Sequence, residues 1–139
     1  VVIIDFESEY SKKKIEELND KFETDIDFYN LDLSKKDKIN NFCKYILDKY
    51  QKIDILINCA ALVGTSGLEG WAEPFENQSS EAFDLCMDVN VKAPILLIQG
   101  LIKGFKKFLF KDTFFIGGYL TITSGIQFVN AMILFVLEG

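Results

Sequence analysis

Three polar side chains stand where apolar runs end. Asp5 closes Val1-Val2-Ile3-Ile4, Asp32 follows the run from Ile26 to Leu31, and Asn58 closes Ile53-Asp54-Ile55-Leu56-Ile57. In an open parallel sheet, ligands bind outside the carboxyl ends of the strands. Three polar strand ends in succession therefore describe one shared ligand edge. A carboxylate after the second strand of a dinucleotide-binding sheet accepts hydrogen bonds from the adenosine ribose. It also repels a 2′-phosphate, so Asp5 in that position favours NAD over NADP. The plainer reading is that each residue only ends its strand or starts a turn.

Other chemistries are narrowed by composition. The 139 residues carry a net charge of −6, which argues against a basic nucleic-acid footprint. There is no histidine, so imidazole metal ligands and the commonest general base are absent. Cys43, Cys59 and Cys86 show no metal-ligand spacing, and no metal site is expected. Isolated thiols and the lack of a visible signal peptide suggest a cytoplasmic protein.

The elements that must position the three ends follow from periodicity. Val1–Ile4, Ile26–Leu31 and Ile53–Ile57 are short apolar runs of the kind buried in parallel sheets. Ile15, Leu18 and Phe22 recur at helical spacing between the first two. Ile39, Phe42, Cys43, Ile46, Leu47 and Tyr50 form an amphipathic helix between the second and third. Ser34-Lys35-Lys36-Asp37 has the form of a capping box at its start. Strand, helix, strand, helix, strand implies right-handed βαβ units. Residues 59–78 form a long Gly- and Ser-rich loop. Ser79 or Ser80 then caps a helix through Leu101, in which Pro94 should produce a kink or mark a local break. From Thr113 to Leu137 no side chain is charged.

The pattern resembles the short-chain dehydrogenase/reductase family. The resemblance is carried by Val1–Asp5, Leu31-Asp32-Leu33, Ile53–Ala61 and Met87-Asp88-Val89-Asn90-Val91. Where the family usually has Asn-Asn-Ala-Gly, this chain has Asn58-Cys59-Ala60-Ala61, still small after the asparagine. The resemblance implies NAD(P)-dependent hydride transfer to or from a small carbonyl or alcohol, and a homo-oligomer. Asp32 would hold the adenine amino group, and Leu33 would add a backbone contact. Asn58, Cys59 and Ala60 would line the adenosine. Asn90 would match the helix asparagine that holds a water in the proton relay, although an asparagine at a bend near Pro94 has a plainer structural explanation. Gly118–Ser124 is similar to the strand ending on the catalytic serine, which makes Ser124 the second catalytic candidate.

The expected architecture is thus one partial, Rossmann-like, doubly wound α/β domain over residues 1–139. The family likeness covers residues 1–102, and residues 103–139 diverge. The family's tyrosine-lysine pair has no counterpart, because nothing after Ser124 is Tyr or Lys. Tyr10/Lys14 and Tyr45/Lys49 have the right spacing but lie on early helices, where i, i+4 neighbours arise by chance. This piece is therefore expected to be inactive alone. The alternatives are a catalytically dead nucleotide-binding or interaction module, or a membrane anchor through residues 113–137. Polar Thr121, Thr123, Ser124, Gln127 and Asn130 weigh against the anchor. The glycine-rich turn and the central strand bearing it are also expected to be missing. Two inner strand edges would then lack a partner, and the chain alone should be poorly soluble.

Overall fold

A computed structural model describes residues 1–6, 9–64 and 66–105, together with the backbone of two strands at 116–117 and 132–135. The elements are β1 (Val2–Asp5), α1 (Glu9–Phe22), β2 (Asp27–Asn30), α2 (Lys36–Tyr50), β3 (Ile55–Asn58), α3 (Ser80–Met87), α4 (Ala93–Leu101), β4 (Ile116–Gly117) and β5 (Met132–Phe135). A π-helical turn, Asp88–Lys92, joins α3 to α4. The alternation through β3 is the one read from periodicity, and the fold is a partial Rossmann-like α/β fold.

The core forms where the apolar stripes meet the sheet. Ile39, Phe42 and Ile46 of α2 pack with Leu97 and Leu101 of α4 over Ile4 of β1 and Leu56 of β3, all essentially inaccessible to solvent. Gly100 sets how closely α2 and α4 approach. A Cβ built there would lie 2.5 Å from the Cys43 sulfur. The run Ser80–Phe105 is long and apolar enough to cross a membrane by composition. In this fold, however, Ala93, Leu97 and Leu101 are buried against the core.

Two local expectations change. The capping box at Ser34 does not form. The α2 N-cap is Lys35, without a side-chain cap, because the Ser34 hydroxyl donates to Asp32 instead. The kink at Pro94 takes the form of the π-turn. Proline has no N–H for the carbonyl four residues earlier, here Asn90, so the ladder shifts register ahead of it. As expected, Ser79 caps α3 by accepting a hydrogen bond from Ala82 N at 3.0 Å.

The sheet corrects a larger expectation. Its order is β2-β1-β5-β3-β4. β1 pairs with β2 in parallel, and β3 with β4 in parallel. Between β1 and β3, where two open edges were expected, β5 pairs with both in the antiparallel sense. The premise of poor solubility is therefore overturned. The charge-free segment supplies a strand able to sit with neighbours on both sides, a position that charged side chains disfavour.

Candidate functional site

The carboxyl ends of β1, β2 and β3 lie along one edge of the sheet, because β1 and β2 pair in parallel and β1 and β3 both run opposite to β5. Asp5 is half-buried there. Its Oδ1 accepts from Phe6 N at 2.8 Å, and its Oδ2 accepts from the Ser11 hydroxyl at 2.6 Å. The carboxylate thus ties the strand end to α1. A carboxylate has about four acceptor positions, so this leaves capacity for further donors.

Asp32 lies in the turn after β2. Its Oδ1 accepts from Ser34 N at 3.0 Å and from the Ser34 hydroxyl at 2.7 Å. Partial burial pushes the carboxyl up. The two Ser34 donors and the nearby Lys35 and Lys38 outweigh this and hold it below the ordinary range. Asp32 is therefore an anionic acceptor at neutral pH. Leu33 beside it packs partly against the core.

Asn58 differs from both aspartates. It is 94 % buried by the complement of its 6 % exposure, at the end of β3. Among the described residues, its Oδ1 has no hydrogen-bond partner. An unpaired buried acceptor costs on the order of 1–3 kcal/mol, so such atoms usually await a donor. Cys59 and Ala60 follow as small, partly exposed residues. Burial pushes the Cys43 thiol up to about 11 and raises that of Cys86, which leaves Cys59 the accessible thiol of the three.

Asn90 reaches the same loop from the π-turn. Its Oδ1 accepts from Leu62 N at 2.7 Å, and its Nδ2 donates to Leu62 O at 2.8 Å. Both polar atoms of the amide are thereby engaged in clamping the backbone that leaves β3. The side chain is a fastener for the loop that carries Cys59 and Ala60. Ser124 lies outside the described residues.

The structure thus brings Asp5, Asp32, Leu33, Asn58, Cys59 and Ala60 to one sheet edge, with Asn90 fastening the loop after β3. The sequence reading missed Ser11, Ser34 and Leu62 as partners. Ser34, two residues after Asp32, fits the Asx-turn pattern and was legible. Leu62 and Asn90 are 28 residues apart, and only the fold pairs them. Tyr45 and Lys49 lie elsewhere, at the opposite edge, where Lys49 meets Asp27 at the start of β2. Among the described residues, no group of three Cys, Asp or Glu could hold a metal ion.

Known proteins bear on this arrangement. A short-chain dehydrogenase reductase 3a from Arabidopsis thaliana is 27 % identical over 99 residues, covering 71 % of this chain and 35 % of that protein. A metagenomic short-chain oxidoreductase solved with NADP superposes with a TM-score of 0.63 at 24 % identity, covering 75 % of this chain and 43 % of that one. An L-sorbose reductase from Gluconobacter frateurii, solved with NADPH and L-sorbose, gives 0.63 at 18 % identity, covering 76 % and 38 %. The chain spans less than half the length of these relatives, and the structural likenesses speak for the fold. The sequence pattern of the short chain dehydrogenases matches residues 1–111. The chain belongs to the short-chain dehydrogenase family.

Proposed function

We propose that this chain is the nucleotide-binding part of a cytoplasmic, NAD-dependent oxidoreductase that moves a hydride to or from a small carbonyl or alcohol substrate. The observation that carries the reading is Asn58, whose buried Oδ1 lacks a partner among the described residues, on the same sheet edge as the Asp5 and Asp32 strand ends and separated from them by β5. That acceptor fits a donor on an adenosine moiety. Asp5 would take the ribose hydroxyls and Asp32 the adenine amino group. The backbone of Leu33 and the small Cys59 and Ala60 would let the nucleoside approach. The nicotinamide, when bound, supplies or accepts the hydride.

The preference for NAD rests on the Asp5 charge, which opposes a 2′-phosphate. Similar structures solved with NADP support a nicotinamide cofactor and point to NADP, so the NAD preference stands on the Asp5 charge alone. Asn90 would position the loop from below, and Ser124 would polarise the substrate oxygen. Phe83, Met87, Val91 and Ile95 stand exposed at four-residue spacing from α3 through the π-helical turn into α4. That stripe supports a homo-oligomer. One observation favours a second reading, a nucleotide-binding module without catalysis: the Asn90 amide spends one acceptor and one donor position on clamping Leu62, which is a structural role.

Calorimetric titration with NAD and NADP tests the proposal. The expected result is NAD binding about tenfold tighter than NADP, with Asp5→Asn narrowing the gap. Equal affinities in the unaltered chain would remove the preference. No binding of either would remove the nucleotide reading.

A further inference from the structure

The central slot of the sheet holds an unusual strand. In the doubly wound order 3-2-1-4-5-6, the strand between the second and the fourth carries the chain outward at the carboxyl edge. A glycine-rich turn and a helix N-terminus follow it there and cradle the pyrophosphate. Here β2, β1, β3 and β4 occupy the third, second, fourth and fifth positions of that order, and β5 occupies the first. Its direction is reversed. Met132 opposes Ile4 at the carboxyl edge, and Leu134 opposes Val2. On the other side Ile133 opposes Ile57, and Phe135 opposes Ile55 at the amino edge.

We propose that residues 132–135 form an inserted strand that closes the sheet from within the chain and, by its reversed direction, bars the pyrophosphate-binding turn from the slot it fills. The first consequence is stability. β1 and β3 each gain a ladder partner, so no inner edge is left to recruit another chain. The second is functional. β5 itself ends at the amino edge, where Phe135 opposes Ile55, away from Asp5, Asp32 and Asn58. A strand of that direction does not deliver a helix N-terminus to the carboxyl edge, where its N–H groups could meet a phosphate. A parallel strand carrying that turn and β5 need the same backbone partners on β1 and β3, so only one of them can be seated. While β5 holds that slot, the edge is confined to a nucleoside. This functional half rests on the nucleotide reading above, and the strand direction does not.

Two double-cysteine variants of the full chain separate the possibilities. Val2→Cys with Leu134→Cys joins residues opposite one another in the observed antiparallel register. Val2→Cys with Met132→Cys joins residues that would face one another only in a parallel arrangement centred on the same Ile3–Ile133 pair. Directly opposed strand residues lie within the Cα range a disulfide requires. After mild oxidation and peptide mapping, the 2–134 link should form and the 2–132 link should not. Predominance of the 2–132 link, or neither link, would overturn the insertion. The 2–134-linked chain is then titrated with adenosine and with NAD. The two should bind within about threefold of each other, since the pyrophosphate finds no cradle. NAD binding tenfold tighter or more would overturn the exclusion. If neither ligand binds, the exclusion falls with the nucleotide reading, and the cross-link still decides the strand direction.

Discussion

The two edges of this sheet satisfy their polar groups in opposite ways. At the amino edge, Asp27 begins β2 and accepts from Lys49 Nζ at 2.6 Å and from the Tyr50 hydroxyl, both on α2 and more than twenty residues away in sequence. At the carboxyl edge, Asp5 and Asp32 take their donors from Ser11 and Ser34, six and two residues on. Asn58 Oδ1 takes none among the described residues. Long-range pairs hold separate elements together. Local pairs orient a side chain without joining distant parts, and an unpaired acceptor does neither. The amino edge is built for cohesion, and the carboxyl edge keeps its acceptors for something else.

The largest expected effect tests a long-range side-chain pairing near the carboxyl edge. Asn90→Ala removes both hydrogen bonds to Leu62 and leaves that backbone with two unmet groups. The expected cost is about 2 kcal/mol in chemical denaturation. Weaker nucleotide binding should accompany it, because the loop bearing Cys59 and Ala60 loses its fastening. Faster alkylation of Cys59, with Cys43 and Cys86 still protected, would locate the loosening at the loop. An unchanged melt would show that Leu62 finds other partners.

Asn58→Leu separates cohesion from binding more sharply. The leucine is close in size and removes a buried acceptor with no partner among the described residues. Stability should hold or rise. Affinity for adenosine should fall about tenfold, the worth of one good hydrogen bond. A large loss of stability would instead make Asn58 a structural residue with a partner outside the described residues.

Asp27→Asn is the counterpart at the amino edge. It weakens the contacts to Lys49 and Tyr50, and the expected loss is about 1 kcal/mol, kept small because the pair is partly exposed. Nucleotide affinity should not change. A change in affinity would mean the two edges are coupled through β2.

How much of this was legible in the sequence differs along the same divide. The βαβ order, the α2 stripe and the three polar strand ends were readable because each is a local periodic pattern. The Ser34 donor to Asp32, two residues on, was open to reading as an Asx turn but was read as a capping box, and the Ser11 donor to Asp5 was missed because it lies on the next element. Three further features were not legible. The Asn90–Leu62 clamp depends on the π-turn, which Pro94 hinted at without fixing. The Asp27–Lys49–Tyr50 cluster depends on how α2 crosses β2. The placement of β5 was missed because an apolar, uncharged run shows that a segment will be buried but not which edge it pairs with, nor in which direction. The same composition also admitted a membrane-span reading, against which its polar residues weighed.

The smallest effect is a pH dependence, and it discriminates between the edges by its shape. The Lys49 ammonium and the Tyr50 hydroxyl hold the Asp27 carboxyl below its ordinary range. The folded chain therefore binds a proton there less readily than the unfolded chain. The resulting stability is complete above the ordinary carboxylate value of about 4 and is lost as pH falls through the lowered folded value. Asp32 has the same sign, and its own loss belongs to the same acid window. Lys49 runs the other way. Its hydrogen bond to Asp27 raises its pKa, so its share is present below the ordinary lysine value of about 10 and is lost as pH rises beyond it. Tyr50, raised first by burial and then by Asp27, follows Lys49 in sign. Removing Asp27 should thus flatten both the acid and the alkaline limb of a stability profile. Removing the Asp32 carboxylate, as in Asp32→Asn, should flatten the acid limb alone. Urea midpoints measured from pH 3 to 11 give both limbs. An alkaline limb unmoved in Asp27→Asn would show that Lys49 and Asp27 are neighbours without being a stitch, and the distinction between the two edges would then rest on Asn58 alone.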